Sequence, residues 1–211
     1  MTKDAQINLK GSVAIVSDFF FTAINSILYQ RGIYMPETFK RETKYGLTVL
    51  TTTDQGLLKY LDQIVKQVEE WLLYGDVQRL VVVVSGADSG ETLERWQFNV
   101  TIEDGAASGE NKNPNNSTVT SNKSVKEIHN EIQAIIRQIT ASVTFLPLLN
   151  EPCTFDLLVY TSKDAVVPTK WEDSDPCYIM NSQEVKLRSF TTKIHKIDSL
   201  VAYKEADEWD L

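Results

Sequence analysis

The sequence predicts an α+β domain in which three helices pack on a mainly antiparallel sheet, and three observations carry that expectation. Apolar residues recur at helical spacing in three stretches, two β-branched runs are joined by a short glycine turn, and the last quarter is again rich in β-branched residues. The order reads helix, strand, helix, β-hairpin, helix, strand and a C-terminal β segment, in one domain over 1–211. With 211 residues and 42% hydrophobic content, the chain is long enough to bury one sizeable core.

From Ser12, the residues Val13, Val16, Phe20, Ala23, Ile24, Ile27 and Leu28 fall on one helical face, and Gly32 supplies the stop after Arg31. Phe19 and Phe21 widen that face, as suits a helix that meets a broad core. Pro36 opens a polar connector, and 45–52 reads as a short β-branched strand. Asp54 fits the N-cap of a second helix whose stripe includes Leu57, Leu61, Ile64, Val68, Trp71 and Leu72, ended by Gly75; Trp71 reads as core.

The run 79–85 is β-branched, continuous and too short for a typical helix, so it reads as a buried strand. After a turn at 88–90, Trp96, Phe98, Val100 and Ile102 alternate with a polar remainder that includes Glu94, Gln97 and Thr101, which completes a hairpin. The stretch 104–123 has many Asn and Ser residues and almost nothing to bury, so a flexible loop is expected there. Ser124 and Glu127 form a capping box for the third helix, with a stripe of Val125, Ile128, Ile132, Ile135, Ile136, Ile139 and Val143. Pro147 and Pro152 then break the chain.

At 155–160, Phe155, Leu157, Leu158, Val159 and Tyr160 make a central or half-buried strand. Pro168 forbids a central strand at 166–171, and 172–176 is polar and turn-prone, so the chain crosses there irregularly. Within 185–203 the apolar side chains change parity: Val185 and Leu187 share one face, Phe190 and Ile194 the other, and Ile197, Val201 and Tyr203 return to the first. One residue of slip exchanges the two faces of a strand, so such a segment specifies its register weakly. It reads either as two short strands joined by a bulge or turn near 196–199, or as a segment that changes position.

The net charge of −8 argues against a surface that neutralises many phosphates, so no direct nucleic-acid binding is expected. Cys153 and Cys177 are the only cysteines and no basic-plus-apolar leader is seen, from which a soluble chain in a reducing, intracellular compartment is expected. No apolar run is read as approaching the ~20 residues of a membrane span. His129 and His195 lie in no cluster with metal-ligand spacing, and the glycine-rich run 85–90 leads into a strand, as a hairpin turn does and a phosphate cradle does not. A Cys177 nucleophile served by His195 is conceivable on composition but lacks any local signature of activation. No catalytic residue, metal ligand or cofactor is assigned, and no enzyme is expected. An edge strand can instead accept an extended peptide by β-augmentation, and a segment crossing over it could retain that peptide topologically.

Long phrases of the sequence match a known family in the right order: NSILYQRGIY at 25–34, ERWQF at 94–98, RQIT at 137–140 with TFLPLL at 144–149, and RSFTT at 188–192 through VAY at 201–203. Through them the chain, from about 7 to 204, resembles the spindle-checkpoint members of the HORMA-domain family. The loop at 104–123 looks longer than is usual there, and the acidic tail departs from the vertebrate ending.

The resemblance implies a core at about 7–160 and a C-terminal "safety belt" at about 161–211. That belt occupies one sheet edge in an open state and the opposite edge in a closed state. Relocation frees 155–160 to pair with a short peptide that the belt encircles, which implies peptide-binding roles for Phe155, Leu157, Leu158, Val159, Tyr160, Trp171 and Tyr203. Arg137, Gln138 and Phe145 match the surface through which open and closed copies dimerise; core packing is the alternative reading for Phe145 and Tyr203. The partners implied are mitotic arrest deficient protein one at kinetochores, the activator of the anaphase-promoting complex, other mitotic checkpoint complex subunits, and a remodelling AAA+ ATPase with its adaptor. The implied location is nucleus and cytoplasm, with kinetochore and nuclear envelope in a cell-cycle-dependent way. The alternative is a HORMA adaptor of translesion DNA synthesis or of the meiotic chromosome axis.

Overall fold

A computed structural model of the chain describes residues 6–103 and 120–205. It opens with β1 (Ile7–Asn8), from which Asn8 caps α1 (Leu9–Gln30) by accepting a hydrogen bond from the Gly11 amide at 2.9 Å. That helix is the centre of the molecule. Val16, Phe19, Phe20, Ile24, Ile27 and Leu28 are all fully buried, so its apolar residues spread well beyond one stripe, as the extra phenylalanines foretold. By length and composition α1 is apolar enough to cross a membrane, a run the sequence reading overlooked. Its burial among the other elements explains that apolarity.

The connector after Pro36 holds a strand that the sequence reading missed. β2 (Phe39–Lys44) and β3 (Leu47–Thr52) form a hairpin around Tyr45 and Gly46, at φ 52° and 71°. Two adjacent left-handed residues make the tight turn that matches strand twist, and a tyrosine at such a position gives little signal in sequence. Tyr45 therefore belongs to the turn and not to the strand. In α1, Asn25 Oδ1 accepts a hydrogen bond from the Thr52 amide at 2.8 Å, tying the hairpin to the central helix. Asp54 caps α2 (Gln55–Tyr74) through the Leu57 amide at 2.7 Å, and Gly75 at φ 71° ends it.

β4 (Val77–Gly86) and β5 (Thr92–Ile102) pair as the expected hairpin. Most of the loop expected at 104–123 lies outside the described residues, but its end does not: β6 (Thr120–Ser121) pairs with β1. The capping box at Ser124 and Glu127 starts α3 (Val125–Ala141), whose isoleucines are buried, while Val125 and Val143 at the ends of the stripe are exposed. Next come β7 (Cys153–Thr161), β8 (Ser182–Thr191) and β9 (His195–Lys204).

The main sheet runs β7-β4-β5-β9-β8 with every neighbouring pair antiparallel. The C-terminal segment is thus two strands, joined by a turn at 192–194, a few residues before the place read from sequence. The parity change has a cause: the ladder shifts between Lys186 and Ser189, and the bulge returns Phe190 to the core opposite Ile197. β7 stands at the sheet edge, half-buried, with only Leu157 fully enclosed.

One polar group interrupts this core. Glu94, read as part of the polar remainder, lies on the same face as Trp96 and Phe98 and is buried; it accepts hydrogen bonds from Arg31 Nε at 2.7 Å and Trp96 Nε1 at 2.9 Å. Arg31 also reaches the Pro147 carbonyl at 2.6 Å, so the pair joins α1, the sheet and the segment leading to β7. Burial raises the Glu94 carboxyl, and the guanidinium and indole N–H oppose that rise. Removing one member strands the other charge in the core, so Arg31→Met is expected to destabilise the fold by about 3–5 kcal/mol in urea unfolding. A loss below about 1 kcal/mol would show that the pair is not held as the structure describes.

Candidate functional site

The site begins where β7 ends. β7 pairs with β4 along its inner edge, and among the described residues its outer edge pairs with no strand. The chain then turns away: Ser162 donates its amide to the Asp76 carbonyl at 2.8 Å and its hydroxyl to Asp76 Oδ1 at 2.6 Å. It runs to α2, where the Trp71 indole N–H donates to the Val166 carbonyl at 3.0 Å and the Trp171 ring packs edge-on against Trp71, with centroids 4.9 Å apart. A buried tryptophan needs a partner for its N–H, and here that partner is the crossing strap. Trp71 is core, as read, and also an anchor.

Residues 171–176 next pass alongside 156–161 at a distance, leaving a cavity of about 380 Å³ lined by Leu157, Val159, Tyr160, Trp171, Glu172 and Pro176, among others. A second cavity of about 490 Å³ shares Leu157, Trp171 and Glu172 with the first and is lined on the helix side by Tyr60, Ile64, Gln67 and Pro168. Beyond Pro176 the backbone bends sharply, with Cys177 at φ 52° and Asn181 at φ 56°. It crosses the outer sheet face, where Tyr178 lies over the Arg95 guanidinium at 4.7 Å, and enters β8. Residues 162–181 therefore join the β7 edge to the opposite edge of the sheet and leave a slot beside β7 on the way.

The slot's two faces follow from strand alternation. Phe155, Leu157 and Val159 turn toward the helices, where Phe155 meets Tyr34 and Tyr60 edge-on at 6.1 and 6.0 Å. Tyr160 turns to the other face, its ring 5.4 Å from Arg79. Asp156, Glu172 and Asp173 are exposed around the opening, so its rim is acidic. Burial, and then the charge of Asp156, raises the Tyr60 hydroxyl.

The C-terminal hairpin is held at several points. Against β5, Glu94 through Ile102 pair with Tyr203 through His195. At its turn, His195 Nδ1 and Thr192 Oγ1 meet the Ser12 hydroxyl at 2.8 and 2.6 Å, all three buried. Along the outer edge of β8, α3 supplies acceptors: Arg188 N donates to Gln138 Oε1 at 2.6 Å and Thr191 N to Glu131 Oε2 at 3.1 Å. An open sheet edge is thereby covered by side chains.

With that geometry in view, the chain's kinship is decided by direct comparison. A family model described as HORMA domain matches residues 12–195. The mitotic spindle assembly checkpoint protein MAD2A of Dictyostelium discoideum is 59% identical over 202 residues, covering 96% of this chain and 95% of its own. The human protein of that name is 55% identical over 204 residues, covering 97% and 96%. The chain belongs to the MAD2 checkpoint branch of the HORMA-domain family. A chain of the crystal structure of the mitotic checkpoint complex superposes with a TM-score of 0.81 at 45% identity, covering 92% of this HORMA domain and 99% of that chain. Caenorhabditis elegans HTP-2, solved bound to a HIM-3 closure motif, gives 0.70 at 16% identity, covering 95% and 93%, and shares the fold alone.

As a HORMA adaptor of the spindle assembly checkpoint, the domain works by holding other chains, and the strapped edge of β7 is the surface suited to that. Phe155, Leu157, Leu158, Val159, Tyr160 and Trp171 gather there. Tyr203 does not: it sits on β9, opposite Glu94 and Gln183, with β4 and β5 between it and β7. Of the residues matched to dimerisation, Arg137 is exposed in the last turns of α3 and Phe145 is exposed after the short turn that follows it, whereas Gln138 is half-buried and engaged with the β8 edge. Sequence reading missed Tyr34, Tyr60 and Ile64, which come from elements far from the strand they face. The Cys177–His195 pairing finds no geometry, since His195 is locked to Ser12 beneath the sheet and burial raises the Cys177 thiol.

Burial lowers the His195 pKa from 6.5 to about 4. In the unfolded chain the imidazole takes a proton below about pH 6.5, while the buried ring takes none until about pH 4. The stability from a neutral, buried ring is complete above pH 6.5 and is lost as pH falls through that window, by up to ~3 kcal/mol. Urea unfolding between pH 7 and 4 is expected to show this slope and to lose it in His195→Gln; an unchanged slope would mean that carboxylates alone set it.

Proposed function

We propose that this HORMA domain captures an extended peptide along β7 and retains it beneath the 162–181 strap. One observation carries the reading: the C-terminal hairpin completes the β5 edge, so the β7 edge is left unpaired by any described strand and covered by a strap that stands off it. A peptide added there gains backbone hydrogen bonds to β7, while its alternate side chains enter the apolar space between Tyr60, Ile64 and Trp171. The acidic rim at Asp156, Glu172 and Asp173 suits a peptide with basic residues beside its apolar ones.

The arrangement is that of the closed state, and the open state keeps the hairpin on β7. Moving such a switch from 1:99 to 99:1 takes about 5.5 kcal/mol of differential affinity, within reach of a strand of hydrogen bonds and several buried side chains. The peptides are those of mitotic arrest deficient protein one and of the activator of the anaphase-promoting complex, and holding the latter delays anaphase within the mitotic checkpoint complex. Arg137 and Phe145, both exposed, serve the open–closed homodimer. Reopening so tightly anchored a strap suits a remodelling AAA+ ATPase with its adaptor. The protein acts in nucleus and cytoplasm, at kinetochores and the nuclear envelope in a cell-cycle-dependent way, and by binding, without a catalytic step. The several checkpoint relatives at 43–59% identity favour this reading over translesion synthesis or the meiotic axis.

Size-exclusion chromatography with a labelled partner peptide, chased by excess unlabelled peptide, tests the proposal. Stable co-elution with exchange over hours is expected, and Trp71→Phe, which keeps an aromatic ring but removes the N–H bond to Val166 and part of the packing on Trp171, is expected to quicken release about 3–10-fold. Exchange within seconds by the unaltered protein would reduce the site to an ordinary edge dock.

A further inference from the structure

The outer face of the sheet carries a cationic pair that meets the peptide slot only through Tyr160. Arg79 on β4 and Arg95, Gln97 and Asn99 on β5 share that face, with Arg79 opposite Asn99 and Arg95 opposite Val83 in the ladder. Arg95 is 3% exposed, yet its Nε is buried without a partner and its one side-chain hydrogen bond is a long one, 3.4 Å from Nη2 to the Tyr160 hydroxyl. Arg79 spends its Nε on Asn99 Oδ1 at 2.6 Å. Among the described residues no carboxylate forms an ion pair with either guanidinium. A buried guanidinium without a counter-charge is costly, and the expected remedy is an anion with several acceptor oxygens.

The space for one is present. A cavity of about 320 Å³ opens between Arg79, Arg95, Gln97 and Asn99 and is roofed by Tyr178 and Ile179, with Glu184 on its exposed rim. We propose that this cavity is a binding site for a phosphate-class oxyanion, either free or carried on a phosphorylated side chain, held by the Arg79 and Arg95 guanidiniums. The net charge of −8 makes general attraction of anions a poor explanation for any such binding, so occupancy reports this local arrangement. The roof belongs to the strap, and its position depends on where β8 docks. The site is therefore complete only in the arrangement that encloses the β7 slot, and an anion bound there favours that arrangement by linkage.

Isothermal titration of the full chain with inorganic phosphate, and separately with phosphoserine, at ionic strength matched with chloride, tests this without any peptide, so its outcome is independent of the peptide-capture reading. Saturable binding is expected, weakened at least tenfold in Arg95→Gln and in Arg79→Gln and unchanged in Arg188→Gln, an exposed arginine elsewhere on the hairpin. Tighter binding of phosphoserine assigns the site to phosphorylated side chains, and tighter binding of phosphate to the free ion. Because Arg95 is buried, the half-buried Arg79 supplies the deciding variant should Arg95→Gln fail to fold. Absence of saturable heat with both probes, or binding that survives Arg79→Gln unchanged, would overturn the proposal.

Discussion

A C-terminal hairpin can complete only one edge of this sheet at a time, and its pairing with β5 along 94–102 is the constraint on which the rest depends. Because β9 lies there, β7 is an edge strand; because β7 and β8 stand at opposite edges, the chain between them has to cross the sheet. The strap is thus a consequence of topology before it is a consequence of any contact. A crossing connection between two distant edges encloses whatever lies between it and the nearer one.

Contacts decide how firmly that topology is held. Trp71 fixes the strap's first bend through Val166 and Trp171, Tyr178 rests on Arg95 at the second, and Ser12 with His195 and Thr192 pins the hairpin turn under the amino-terminal end of α1. α3 covers the far edge with Gln138 and Glu131. These points are spread over several elements of the fold. Gln138 is notable because it follows the exposed Arg137 in α3 and itself grips the outer edge of β8.

The helices were legible because each carries two independent signals, an apolar period and a boundary residue: the Gly32 stop in the first, and the caps at Asp54 and at Ser124 with Glu127 in the others. The β4–β5 hairpin was legible from alternation. What escaped was written without period or punctuation: β2 is polar, its turn uses a tyrosine at positive φ, and β6 has two residues. The weak register of 185–203 was visible as a parity change, but its resolution into a bulge and a turn depends on Phe190 finding Phe19, with ring centroids 4.8 Å apart, a contact 171 positions away in the chain. For the site, the strand and the strap were legible, and their helix-side wall was not. Glu94 misled in the same way, since its polarity says nothing of an arginine waiting on another element.

The most direct test of enclosure is to weld the belt to β5 and ask whether a bulky ligand can still enter or leave. Thr101 and Lys196 face one another across β5 and β9, so Thr101→Cys with Lys196→Cys, in a chain whose Cys153 and Cys177 are changed to Ser, offers a reversible disulfide. The ligand is the partner peptide flanked on both sides by folded domains, which cannot thread through the slot end-on. Oxidation before mixing is expected to abolish capture, oxidation after mixing to abolish release, and reduction to restore both. Capture by the oxidised, empty protein at the rate of the reduced one would contradict topological enclosure and leave an open edge as the whole of the site.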